Sequence, residues 1–181
     1  MRNYLDTTTY FRTFVLGFNS FYFMKKFRTN GAIGGLLDEY ERAIANLKEL
    51  IGTISAAELV RTADSNTDDP DCRSVQTVLA HVVRSGYTYS LYVGNTQGEA
   101  LAFREAVYLD TAEEYQAALD AMFEFTEAVF SRYPTIGIEV HDNEKKILVR
   151  WGQSYDIEQL MEHAIVHILR HRRQIERFMA M

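Results

Sequence analysis

The sequence contains little proline and almost no cysteine. Its 181 residues include two prolines, Pro70 and Pro134, and one cysteine, Cys72. Because proline is the strongest helix breaker, its scarcity permits long uninterrupted helices. A single cysteine excludes an intramolecular disulfide, which fits the cytoplasmic location that we expect. No apolar stretch is long enough to predict a membrane span, and the length suits one domain with a sizeable core.

Acidic residues outnumber basic residues outside the first thirty positions. The formal net charge is −6, but residues 1–30 carry +4, so the remaining 151 residues carry −10. Binding to nucleic acid requires clustered lysine and arginine side chains that neutralise phosphates. The acidic main body therefore argues against a nucleic-acid partner.

The segment from Thr7 to Phe27 is unusually rich in aromatic residues. Its apolar run is broken by Asn19 and Ser20, and no small-residue cleavage pattern follows, so a signal peptide is not indicated. Three interpretations remain open: an additional helix docked on the domain, an interfacial membrane helix, or translated sequence upstream of the true start. We favour a peripheral element outside the core fold. The chain then divides into an N-terminal aromatic and basic extension, 1–31, and a helical domain, 32–181.

Apolar residues at three-and-four spacing predict four long helices. Ser74, Thr111 and Asp156 are the expected N-caps of the last three, and Ser55 has the capping-box spacing that begins a short helical turn. Four long helices in one domain imply an all-α fold, a four-helix bundle. The predicted extents of these helices are about 36–51, 75–93, 112–130 and 157–179.

Two stretches interrupt the helical pattern. Residues 61–73 are polar and contain Pro70, which predicts a loop. Before the last helix, residues 136–139 and 146–151 flank a polar turn at 141–144, and apolar residues alternate in the second of these segments. This alternation predicts a short β-hairpin.

Three of the five histidines recur at intervals of four on the last predicted helix. With about 100° of rotation per residue, and with Ala164 at the centre of the apolar face, His171 lies about 20° and His167 about 60° from that centre. His163 lies about 100° away, on the flank of the helix. We therefore expect His167 and His171 to point into the core.

Imidazole rings at positions i and i+4 are neighbours on a helix and can bind one ion. Two histidines provide only half of a metal site, so a third ligand must come from another helix. His81 on the second helix is the available third, although its helical angle places it on a flank, about 100° from Val82. Three histidines with coordination positions left open are typical of catalytic metal sites. The alternative interpretation is that these histidines are hydrogen-bonded core residues, which is the more common role of a histidine on an apolar face.

Two short motifs resemble those of the DinB/YfiT-like family. Residues 74–81, Ser-Val-Gln-Thr-Val-Leu-Ala-His, resemble the start of the family's second helix, which ends in a ligand histidine. Residues 167–175, His-Ile-Leu-Arg-His-Arg-Arg-Gln-Ile, resemble its last-helix signature, a histidine pair followed by arginine, a variable residue and glutamine. The resemblance covers about residues 32–180 and includes the order of the motifs and the framework of helices between them.

The resemblance implies a DinB/YfiT-like four-helix bundle in which His81, His167 and His171 bind a divalent metal. Zinc and nickel are favoured, with manganese and iron as further candidates. Characterised members of the family include thiol-dependent isomerases and transferases. The resemblance therefore also implies a small-molecule substrate, such as a low-molecular-weight thiol, and a transferase, isomerase or hydrolase reaction. We expect a homodimer.

The sequence departs from the family pattern at two positions. Arg173 stands where many relatives have glycine, and His163 adds a histidine one turn before the pair, so a pair formed by His163 and His167 remains an alternative. The competing functional hypothesis is a non-enzymatic helical module for binding or dimerisation, in which the histidines are structural.

Several residues near the histidines are further candidates for the site. Gln174 and Glu162 have positions from which they could orient a ligand imidazole, although such residues are usually solvated. A basic cluster on the last helix favours interaction with the helix dipole or, alternatively, an anion site for a carboxylated thiol. His141 is expected to face solvent. The cluster consists of Arg170, Arg172, Arg173 and Arg177, and the candidate aromatic residues of the pocket are Tyr87, Tyr89 and Tyr92.

Overall fold

The computed structural model describes residues 27–181, which are mostly helical. Of the predicted extension, 1–31, only the last few residues belong to the described part, and the rest lies outside it. Two short antiparallel strands are β1 (Ile147–Leu148) and β2 (Ser154–Tyr155). Within the described residues, no helix has the length and apolarity needed to cross a membrane. The helices are α1 (Gly31–Ile51), α2 (Ala56–Val60), α3 (Val75–Thr96), α4 (Ala112–Arg132) and α5 (Ile157–Met179).

Capping boxes begin four of the helices, at the residues that the sequence predicted. The side chains of Ser55, Ser74, Thr111 and Asp156 each accept a hydrogen bond from the backbone N–H three residues further on. The side chain of that third residue accepts one from the backbone N–H of the cap. Each cap satisfies N–H groups that have no partner inside the helix and contributes about 1 kcal/mol. The cap at Ser74 fixes the start of α3.

Two helices extend three or more residues beyond their predicted ends. α1 begins earlier than predicted, at Gly31, and Ile33 packs into the core in its first turn. A Cβ on Gly34 would lie 3.0 Å from the backbone oxygen of Arg28, a close approach that favours glycine at this position of the helix. α3 continues to Thr96, three residues beyond its predicted end.

The hairpin before α5 forms, but with one strand that the sequence did not predict. β1 pairs with β2, so the turn falls at 149–153 instead of 141–144. Gly152, with φ of +85°, provides the left-handed conformation in this turn. The predicted strand at 136–139 is wrong. This segment is irregular, and the carbonyl of Ile138 accepts a hydrogen bond of 3.1 Å from the first turn of α5.

The four long helices pack against one another around a shared core. α1 contacts α4 and α5, and α3 contacts the same two helices. α3 comes close to α4 at Gly86, where a Cβ would lie 1.7 Å from Met122 Sδ. One turn further along α3, the hydroxyl groups of Ser90 and Thr126 share a buried hydrogen bond of 2.7 Å. This packing fixes α3 against its neighbours and holds it beside α5.

Candidate metal centre

Three histidines from two helices meet between α3 and α5. His81 lies on α3, and His167 and His171 lie one turn apart on α5. The two on α5 point into the core, as their helical angles predict, with 6% of His167 and 3% of His171 exposed. His81 is half-buried, as expected for a flank position. Each ring offers one ligand nitrogen, and these nitrogens lie within 4.8 Å of one another.

The Nε2 atoms of the three rings converge. His167 Nε2 lies 2.9 Å from His81 Nε2 and 3.2 Å from His171 Nε2. Nitrogen ligands about 2.1 Å from one ion and about 90° apart are separated by about 3.0 Å. The spacing of His167 from each of the other two rings therefore fits ligands in neighbouring positions around one divalent ion, and the ligand nitrogens of all three rings lie within 4.8 Å of one another.

Two acceptors behind the rings determine which nitrogen carries the proton. Asp71 Oδ2 lies 2.9 Å from His81 Nδ1, and Gln174 Oε1 lies 2.9 Å from His171 Nδ1. Because both oxygens are acceptors, each Nδ1 donates, and a neutral ring that donates from Nδ1 has a lone pair on Nε2. His167 can donate a proton to only one of the two lone pairs that it faces. A metal cation, by contrast, can accept all three, so the donor set fits a metal.

The loop before α3 holds Asp71 against His81. Asp71 lies in a short 3-10 helix, Pro70–Cys72, that packs on α3. Its Oδ2 also accepts a hydrogen bond of 2.7 Å from Arg84 Nη2, which lies 3.2 Å from His81 Nδ1. The carboxylate is therefore the shared acceptor of a ring N–H and a guanidinium group. These two contacts fix its position.

The surroundings keep the three histidines neutral. Burial lowers the pKa of His167 to about 2 and that of His171 to about 4, and neighbouring imidazoles add to both shifts. Burial also lowers the pKa of His81, although its hydrogen bond to Asp71 opposes this shift. Neutral imidazole is the form that binds a metal, so these rings need to lose no proton near pH 7.

His167 is oriented differently from the other two rings. Its Nδ1 is buried and has no hydrogen-bond partner among residues 27–181. The ring is instead in contact with Tyr89, edge to face with 5.8 Å between centroids, and with His163, stacked at 6.2 Å. Packing therefore orients the ring of His167, whereas hydrogen bonds orient the rings of His81 and His171.

His163 does not join the three. It is half-buried, its ring stacks on Trp151 with 5.6 Å between centroids, and its Nδ1 lies 3.4 Å from the hydroxyl of Tyr155. Across residues 27–181, the group of ligand-type side chains close enough to hold a metal consists of the three histidines described above. The alternative pair of His163 and His167 lacks a third ligand of this kind.

A cavity of about 440 Å³ opens beside His81 and His167. Tyr89, Trp151 and Arg170 are among the residues that line it, so a small molecule can reach the histidines from this side. Tyr89 is one of the three tyrosines proposed from the sequence, whereas Trp151 was expected only as a strand residue. A larger cavity, of about 560 Å³, lies at the start of α1 and contains no histidine.

Sequence reasoning missed Asp71 and Arg84. The polar loop before α3 holds several acidic residues, and no spacing rule indicates which of them reaches a side chain on the helix. Gln174 does contact His171, as considered from the sequence. Glu162, the other candidate, is exposed and lies on a different cavity.

The remaining candidate residues occupy varied places. Of the basic cluster, Arg170 lines the cavity beside the histidines, whereas Arg172 pairs with Glu176 at 2.9 Å. Cys72 Sγ lies 3.9 Å from Gln174 Oε1, and burial raises the pKa of this thiol, which disfavours a nucleophilic role. His141 is exposed, as predicted.

The chain matches no family model, no curated protein and no solved structure. Its relation to the DinB/YfiT-like family therefore stays a prediction from two motifs. The geometry of the three histidines and of the cavity beside them is the basis for a function.

Proposed function

We propose that the chain is a divalent-metal-binding protein of the DinB/YfiT-like kind, a four-helix bundle in which His81, His167 and His171 hold the ion. One observation carries the proposal. The Nε2 atoms of three neutral rings converge, while acceptors occupy the Nδ1 atoms of two of them. Zinc or nickel is the preferred ion, with manganese or iron(II) as alternatives, because imidazole nitrogen suits the first two best.

The chain's own residues have distinct roles in this proposal. Asp71 and Gln174 orient two of the ligands, and packing orients the third. Three protein ligands leave coordination positions for a small molecule, as in catalytic sites. A bound divalent ion supplies Lewis-acid polarisation of a thiol, water or carbonyl oxygen. Together with the resemblance, this supports a thiol-dependent transferase, isomerase or hydrolase.

Metal binding is tested on protein that is purified without added metal and treated with a chelator. Calorimetric titration with zinc, nickel, manganese and iron(II) should show stoichiometric binding of at least one of these ions to the wild type. The variant with His81, His167 and His171 all changed to alanine should show none. His141→Ala, a histidine exposed far from the site in sequence, is the matched control and should bind like the wild type.

Equal, negligible binding of all four ions to the wild type and the triple variant would show that the proposal is wrong. That outcome would favour the competing hypothesis of a helical binding or dimerisation module, because structural histidines need no metal. Elemental analysis of the protein as purified provides an independent reading of the same question.

A further inference from the structure

Two cavities meet at His81. The cavity beside the histidines, of about 440 Å³, and a second cavity of about 310 Å³ are both lined by His81, Ser85 and Trp151. Sites for small molecules typically occupy about 300–1,000 Å³. A ligand whose reacting end lies at the histidines therefore has room to extend into the second cavity.

Three arginines point to the charge of that ligand. Arg170 lines the first cavity, and Arg104 and Arg150 line the second. The guanidinium carbon of Arg104 lies 3.8 Å from the centroid of the Tyr87 ring, and that of Arg150 lies 5.1 Å from the centroid of the Phe103 ring. A guanidinium group held on an aromatic face keeps its N–H edge available for a carboxylate or phosphate.

Among residues 27–181, no carboxylate neutralises these three arginines in an ion pair. Within the described residues, none of them forms an ion pair with a carboxylate, in contrast to Arg84, which lines the second cavity and pairs with Asp71 at 2.7 Å. In the part of the chain that the structure describes, the one acidic residue that lines either cavity is Glu105, which is exposed. The combined lining therefore carries an excess of positive charge, although the whole chain has a formal net charge of −6.

Aromatic side chains make up the wall between the arginines. Tyr89 and Trp151 meet edge to face with 6.1 Å between centroids, and Trp151 stacks on His163. Trp151 has 43% of its surface exposed, so a bound molecule can reach its ring. The flat faces of these rings suit an aromatic or other apolar group.

We propose that the site binds a small organic oxyanion with an apolar body. The carboxylate or phosphate pairs with Arg104 and Arg150, the body packs against Tyr89 and Trp151, and the reacting end lies at the three histidines, beside Arg170. This inference rests on the proposed function for the reacting end only. A nucleic acid would need an extended basic surface, and an organic cation would meet three guanidinium groups, so neither fits these cavities.

Calorimetry with two matched pairs of probes tests the inference on the full-length, zinc-loaded protein. Benzylsuccinate is compared with its neutral diamide, and phenyl phosphate with phenol. We expect at least one acid to bind about tenfold or more tightly than its neutral partner, because charge-assisted hydrogen bonds to arginine add to the apolar contact. The acid that shows this preference identifies carboxylate or phosphate as the anionic group. Equal binding within both pairs, or no binding by any probe at millimolar concentration, would overturn the inference.

Variants distinguish specific pairing of the anion with Arg104 and Arg150 from general electrostatic attraction. The double variant Arg104→Ala and Arg150→Ala should lose about tenfold or more of the affinity for the preferred acid. The control, Arg173→Ala with Arg177→Ala, removes the same charge from exposed positions that line neither cavity, and should change affinity little. A similar loss of affinity in both double variants would refute specific pairing with Arg104 and Arg150. All four arginines are exposed, so the variants should fold, which circular dichroism checks.

The same titrations are repeated on the metal-free protein, so that the two proposals can fail separately. If zinc does not bind, but the wild type still binds the acid more tightly than the Arg104 and Arg150 double variant does, the metal proposal fails and the oxyanion site stands. If zinc binds normally and the acid shows no preference, the oxyanion site fails alone.

Discussion

Replacing Asp71 with asparagine should weaken metal binding without removing any of the three histidines. The substitution keeps the size of the side chain, and its single oxygen can take the place of Asp71 Oδ2, which accepts hydrogen bonds from both His81 Nδ1 and Arg84. The amide oxygen is neutral, however, and a neutral acceptor forms a weaker hydrogen bond than a carboxylate does. Asp71→Asn should therefore weaken the hydrogen bond that keeps the proton on His81 Nδ1.

A weaker hydrogen bond at Nδ1 raises the population of the tautomer with the proton on Nε2, the atom that is proposed to bind the metal. His81 Nε2 lies 2.9 Å from His167 Nε2, so an Nε2–H group would point directly into the cluster. Metal binding to that tautomer requires the proton to return to Nδ1. Changes to such supporting residues typically cost 10- to 100-fold in metal affinity, equivalent to about 1.4–2.7 kcal/mol, and we expect an effect in this range.

The assay is competition for zinc between the protein and a chelator of known affinity at pH 7.5. Two controls separate orientation of the ring from loss of charge. Asp68→Asn removes a carboxylate from an exposed position of the same loop, and Arg84→Gln removes the guanidinium but keeps Asp71. Both should weaken binding much less than Asp71→Asn does. An affinity unchanged in Asp71→Asn, or lowered equally in Asp68→Asn, would refute the reasoning.

Three further predictions concern stability and are checked by denaturant unfolding of the metal-free protein. The folded-state pKa values of His167 and His171, about 2 and about 4, lie below the unfolded value near 6.5, so the unfolded chain binds more protons as the pH falls through this interval. The free energy of unfolding should therefore fall by about 2 kcal/mol per histidine from pH 7 to pH 5. The dependence on pH should be smaller when both histidines are changed to alanine. Gly86→Ala should destabilise the fold by about 1–3 kcal/mol or more, because the new Cβ would lie 1.7 Å from Met122 Sδ; an unchanged midpoint would contradict the close approach of α3 and α4. Ser74→Ala should cost about 1 kcal/mol through loss of the capping box, and Ser74→Thr should retain most of this stability.

The beginnings of the helices could be predicted because capping is local. Ser74 and its partner Thr77 are three residues apart, and a capping box at this spacing is recognisable in the sequence alone. The partner strand of the hairpin was predicted wrongly because more than one segment can pair with β1. Residues 136–139 and Ser154–Tyr155 were both available to β1, and nothing within β1 itself favours one of them.

The candidate site likewise contains residues that local sequence patterns could predict and residues that they could not. Helical angles placed His167 and His171 inward, because the apolar face of α5 is regular enough to define a direction. Asp71 could not be identified, because the conformation of the loop decides whether it reaches His81. Trp151 was assigned to an extended strand, and its role in the cavity depends on the turn that follows β1. Local regularity therefore indicated the two inward histidines, whereas irregular segments supply part of their surroundings.

Charge links the two proposals. Three neutral imidazoles would leave the charge of a divalent ion uncompensated, and the nearest carboxylate, Asp71, is already paired with Arg84. Arg104, Arg150 and Arg170 add to this positive charge around the two cavities, although the whole protein is acidic. Low-dielectric walls concentrate such a field at the opening of a cleft. The site should therefore attract anions in spite of the negative net charge, and more strongly with the ion bound. Acid binding should then weaken with ionic strength, and it should do so more steeply in the zinc-loaded protein than in the metal-free protein.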